Sequence, residues 1–132
     1  MKKTPRFQLI GAANDKVRWR LLGGNNASLG TGAGSYRGAA ECINAIQWLK
    51  DNLTTTRAEF SHASGGKWRW LLYADAELLA MANHAYGRKI EAKHGLERFL
   101  AATPEAVVRT GGASIADWRT KYKMNSPEAP LR

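Results

Sequence analysis

The sequence predicts an α+β fold, and three observations carry that prediction. First, KVRWRLL at 16–22 returns as KWRWLLY at 67–73. Lys16, Arg18, Trp19 and Leu21 recur as Lys67, Arg69, Trp70 and Leu72 at an offset of 51. Second, both stretches alternate apolar with polar residues, the period of a strand that packs one face and wets the other. Third, each is followed by apolar residues at three- and four-residue steps, the period of a helix. Duplication in so short a chain means one small structural unit built twice.

With 132 residues the chain has the size of one domain and can bury a core without disulfides or metal. Five tryptophans supply large apolar bodies for that core. The single cysteine, Cys42, has no internal disulfide partner, which fits a reducing compartment. Pro5, Arg6 and Gln8 interrupt the apolar run a signal peptide needs, and no stretch is long and apolar enough to span a membrane. The expectation is a soluble, cytoplasmic protein. Net charge is +9, distributed as +6 over residues 1–57, zero over 58–108 and +3 over 109–132. Such a potential draws polyanions.

Phe7 to Ile10 reads as the first strand, with Phe7 and Leu9 on one side. Gly11, Asn14 and Asp15 turn the chain into an antiparallel return, in which Val17, Trp19 and Leu21 face the core and Arg18 and Arg20 face away. After the 23–26 turn, a weak strand over 27–31 runs into Gly30, Gly32 and Gly34. This segment, GTGAG, has neither the Lys–Ser/Thr ending of a Walker loop nor the Gly-x-Gly-x-x-Gly spacing, so it reads as a glycine-relaxed strand end. Ser35 is the expected cap of a helix whose stripe is Ala39, Cys42, Ile43, Ile46 and Leu49 or Lys50. Cys42 lies on that stripe as a buried, inert thiol. Thr54 to Thr56 suits an extended linker.

The second pass starts with Phe60 in the role of Phe7. Ser64, Gly65 and Gly66 turn the chain, and Trp68, Trp70 and Leu72 face the core. A third strand over 77–82 and a helix over 88–102, lined by Ala92, Leu96, Phe99 and Leu100, complete the unit, which Pro104 closes. Residues 106–110 form a last short strand. Beyond it, Ile115, Trp118 and Tyr122 are expected to form a stripe on a short basic helix with Arg119, and the polar, proline-bearing end is expected to be disordered. The domain therefore covers 1–110, with units at about 7–54 and 58–108, and 111–132 is an extension.

A Phe-led strand, a basic-aromatic strand, an Asn-type turn, a short strand and a Tyr-led helix at Tyr36 and Tyr86, all in the same order twice, resemble the YegP-like family of small tandem-repeat proteins. The likeness covers about residues 7–108. It implies that the two units share one antiparallel sheet with the helices on one face, and that the strand after each helix is exchanged towards the other unit. In family members with one unit, dimerisation gives the same arrangement. Asn26 and Ala76 stand where the family has a turn glycine, so the second turn is expected to differ in type. The resemblance transfers no activity.

Nothing in the sequence assembles a catalytic or metal site. His62, His84 and His94 fall outside any ligand spacing, although His62 and His84 both lie near strands where they could meet. Asp75, Glu77, Glu91 and Glu97 read as turn and surface carboxylates. The balance falls against an enzyme, and no cofactor is expected. The stronger feature is the outer face of the sheet, where Arg18, Arg20 and Arg69 offer cations and Tyr73 a stacking platform. Leu22 and Leu71 on the same face point instead to a protein partner, or to the terminal helix through Trp118, Arg119 and Tyr122. The expectation is a non-enzymatic interaction or structural module, with nucleic acid or another polyanion as the alternative ligand. A monomer or a weak homodimer fits either.

Overall fold

Alternation sets the first hairpin. In β2 (Val17–Leu22) the odd positions Val17, Trp19 and Leu21 are buried while Arg18 and Arg20 are exposed. Its partner β1 (Arg6–Gly11) buries Phe7 and Leu9. The two pair antiparallel from Arg6↔Leu22 to Gly11↔Val17. Their turn needs positive φ at Asn14 (63°) and Asp15 (62°), a conformation that short polar side chains tolerate. The computed structural model describes residues 4–109 apart from 12 and 63. The remaining elements are β3 (Ser28–Gly32), α1 (Ala39–Asp51), β4 (Arg57–His62), β5 (Trp68–Ala74), β6 (Glu77–Met81), α2 (Lys89–Ala102) and β7 (Val107–Arg109). The helix and tail expected beyond residue 110, including Trp118, Arg119 and Tyr122, lie outside the described residues.

All seven strands form one sheet in the order β4-β5-β6-β3-β2-β1-β7. The β3–β6 junction at its centre is antiparallel, with Thr31 opposite Met81. A wholly antiparallel sheet was expected, but β7 runs parallel to β1, with Arg6↔Val107 and Gln8↔Arg109. That direction follows from the route of the chain, because β7 returns from α2 by a crossover rather than by a hairpin. β4 and β7 thus follow α1 and α2 to opposite edges of the sheet.

One core lies between the sheet and both helices. It joins Phe7, Trp19 and Leu21 to Cys42, Ile46 and Leu49 of α1, and Trp70 and Leu72 to Leu96 and Phe99 of α2. Phe99 is the link between the halves of the sheet. Its ring lies 6.3 Å from Trp19 of β2 and 4.8 Å from Trp70 of β5.

The glycines of β3 have a different role from the one expected. A Cβ at Gly30 would lie 2.6 Å from Phe99 and 2.8 Å from Trp70, and one at Gly32 would lie 2.6 Å from the Trp19 indole. They are gaps in which the aromatic rings rest on the backbone, not a relaxed strand end.

Three further expectations change. Ser35 does not cap α1. Tyr36 is still held in a two-way backbone bridge to Val17 (2.7 and 2.8 Å), so the helix starts after Gly38, which makes no side-chain cap. Residues 53–55 form a turn of 3-10 helix instead of an extended linker, because the Thr55 and Thr56 hydroxyls donate to the carbonyls of Asn52 and Leu53. Phe60 is only half-buried, unlike Phe7, since β4 is an uncovered edge while β7 flanks β1. In the second hairpin turn the positive φ falls on Asp75 (52°), which spares Ala76 the strain.

Cys42 is fully buried, and its thiol is pushed up to about 12, first by burial and then by the nearby Glu41 charge. A thiol with a raised folded-state pKa stays protonated where the unfolded chain already ionises. Stability is therefore expected to fall as pH rises from about 9 towards about 12. Replacing Cys42 with Ala should flatten that segment of the pH–stability curve, and a thiol reagent at pH 8 should label the native protein only at the rate of unfolding.

Candidate functional site

The face turned away from the helices is built by strand parity. Register aligns Glu59, Leu71, Met81, Thr31, Arg20, Gln8 and Arg109 in one row across all seven strands. The row divides chemically. Its β4–β5–β6 end carries an acid, a leucine and a methionine, while its β2–β1–β7 end carries two arginines and a glutamine. The same parity adds Arg6 and Arg18 to the second end. No acidic residue occurs in β1, β2 or β7.

Hydrogen bonds hold these cations without cancelling their charge. The Arg20 Nε donates to Gln8 Oε1 at 2.7 Å, and the Arg6 Nη2 donates to Asn26 Oδ1 at 2.6 Å. Among the described residues the ion pairs are Arg57–Glu59 and Arg88–Glu91, neither of which lies on β1, β2 or β7. Arg18 and Arg20 line a shallow depression of about 580 Å³ together with Ile10, Gly11, Ser28, Thr31 and Asn83. Guanidinium groups on a concave, acid-free surface can take phosphate oxygens in bidentate fashion.

The four residues singled out from the sequence do not form one cluster. Arg18 and Arg20 come together. Arg69 sits on β5, with β6 and β3 between it and β2, a span of roughly 14 Å at ordinary strand spacing. Its Nη1 donates to the Ala82 carbonyl at 3.2 Å. Tyr73 is no open stacking platform, because the Arg57 guanidinium lies 4.7 Å over its ring. Leu22 is buried, at a register shift between Leu21 and Leu22, and Leu71 is half-buried, so the expected apolar patch is weaker than the pattern suggested. Arg6, Gln8 and Arg109 were missed. Parity with Phe7, Leu9 and Val108 was the signal that could have found them.

All three histidines are exposed, and two of them lie against aromatic rings. The His62 ring stacks on Trp68 at 4.3 Å and the His84 ring lies against Tyr86 at 4.2 Å. Among the described residues no group of three His, Cys, Asp or Glu side chains could hold a metal ion.

A single seven-stranded sheet carrying two helices defines a small mixed α+β protein of YegP-like fold. Residues 12–59 match the family model described as a domain of unknown function, DUF1508. The chain is similar to the solution structure of the protein of unknown function yegP from E. coli. That likeness has a TM-score of 0.71 and 20% identity, covering 86% of this chain and 99% of that one. It is also similar to a UPF0339 protein from Shewanella oneidensis, with a TM-score of 0.68 and 16% identity over 81% and 91% of the two chains. The YegP-like resemblance drawn from the sequence thus stands. No curated protein matches the chain. Among the described residues, no helix is long and apolar enough to cross a membrane.

Proposed function

We propose that the protein is a non-enzymatic binding module that receives a polyanion, nucleic acid first, on the β2–β1–β7 part of its open sheet face. The carrying observation is the set Arg6, Arg18, Arg20 and Arg109 on one face, without an acid on any of the three strands. Cations alone bind phosphate without reading sequence, so affinity should be largely independent of base order. The test is oligonucleotide binding by fluorescence anisotropy as salt is varied. Wild-type protein should lose affinity steeply with salt. The double variant Arg18→Ala/Arg20→Ala should bind more weakly, with a log–log slope shallower by roughly 1.4–1.8, at about 0.7–0.9 per lost phosphate contact. No binding at low salt, or an unchanged slope in the variant, would overturn the proposal.

A protein partner on the same face is the second reading. It is favoured by Ile10 and Val107, which are exposed at the β1–β7 side of the arginine set. That complex should resist salt and weaken when Ile10 is replaced by Ser.

The proposal extends to architecture and setting. The 12–59 match begins before β2 and ends in β4, so the unit we favour is strand–strand–helix–strand, built a second time as β5, β6, α2 and β7. Both outer strands carry charge, Arg57 and Glu59 on β4 and Arg109 on β7, which discourages edge-to-edge pairing and supports a monomer. We assign the role to the cytoplasm, consistent with the free thiol of Cys42.

A further inference from the structure

The helix side of the sheet holds a second feature, of opposite electrical character. A cavity of about 340 Å³ opens between α1 and the tip of the β5–β6 hairpin. Its lining includes three aromatic residues, Tyr36, Trp48 and the largely buried Trp19, together with Asp75 and Glu77 of the hairpin. Among the described residues no Lys or Arg lines it, in a chain with 20 basic and 11 acidic residues. Arg57 lies beside the hairpin. Its Nη2 donates to the Asp75 main-chain carbonyl at 3.0 Å, and its charge is already paired with Glu59.

Trp48 is the informative residue. The stripe of α1 that packs on the sheet is Ala39, Cys42, Ile46 and Leu49, and Trp48 stands off it with 44% of its surface exposed. An indole there contributes little to the core, yet it lines the cavity together with Tyr36 and Trp19. The Tyr36 hydroxyl is pushed up chiefly by burial, partly offset by Trp19, and the charges of Glu77 and Glu41 add to it. The Glu77 carboxylate therefore acts on the interior of the pocket.

Aromatic faces carry negative quadrupole potential, and desolvated rings attract ammonium groups more strongly than exposed ones. Carboxylates at the rim add charge complementarity. We propose that this pocket binds an alkylammonium group, presented by a free small amine or by a methylated lysine side chain. Its face and its charge preference both differ from those of the arginine set, so the two sites are independent.

The test is NMR titration of ¹⁵N-labelled protein, following the Trp48 indole N–H resonance. The probes are choline, its neutral isostere 3,3-dimethylbutan-1-ol, and a short peptide bearing trimethyllysine. Saturable shifts with choline or with the peptide support the proposal, and their relative affinities identify the source of the group. The neutral isostere should bind about 2- to 30-fold more weakly than choline. Trp48→Phe should retain binding, Trp48→Ala should abolish it, and Asp75→Asn/Glu77→Gln should weaken it while the fold stays intact by backbone spectra. Saturation by neither cation, equal binding of the neutral isostere, or indifference to both sets of variants would overturn the proposal.

Discussion

Truncating Phe99 to alanine is expected to lower folding stability by ~3–5 kcal/mol, the usual cost of deleting a buried aromatic ring. Phe99 is fully buried and touches Trp19 of β2 and Trp70 of β5, which lie on either side of the β3–β6 junction. Losing it therefore opens a gap shared by both halves rather than loosening one. Against a total of roughly 5–15 kcal/mol for a domain, the variant should sit close to the unfolding threshold. Urea denaturation followed by fluorescence and by far-ultraviolet circular dichroism should give one transition, displaced to lower urea, with both probes coincident. Two separated transitions would mean that the halves have independent cores.

The second large effect comes from adding atoms. Gly30→Val places carbon where Phe99 and Trp70 already approach a bare Cα, and Gly32→Val does the same against the Trp19 indole. Each should cost about 1–3 kcal/mol or more, because rings bedded on the backbone cannot retreat without disturbing the core. Gly34→Ala is the control. A Cβ there meets nothing within 4 Å among the described residues, so that substitution should be neutral or stabilising by ~0.4–1 kcal/mol through the unfolded chain. The contrast separates steric filling from any general effect of losing glycine. Equal effects at positions 30 and 34 would remove the packing role assigned to β3.

The strands and helices were legible because their burial is periodic. Val17, Trp19 and Leu21 can only be buried together in a strand, and Ala92, Leu96 and Phe99 only in a helix. Positions governed by non-local contacts were not legible. The start of α1 is set by the Tyr36–Val17 bridge, the glycines of β3 by rings from α2, β2 and β5, and the parallel β7 by a crossover; none of these leaves a local pattern. The arginine face was half legible. Parity put Arg18 and Arg20 outward and could have put Arg6 and Arg109 there too, but strand order alone decides that β7 lies beside β1 and that Arg69 stands apart. Nor did the sequence show that Arg57 would cover Tyr73. The aromatic pocket was not legible at all, since it joins Trp48 to a hairpin whose nearest lining residue, Ala74, is 26 positions further along.

The most direct test of the binding face is a ¹H–¹⁵N titration of the protein with a short single-stranded oligonucleotide at low salt. The account predicts that amide and guanidinium shifts cluster on Arg6, Gln8, Arg18, Arg20 and Arg109 and recede as salt is raised. Shifts confined to α1 and α2, or scattered over the whole surface, would contradict it.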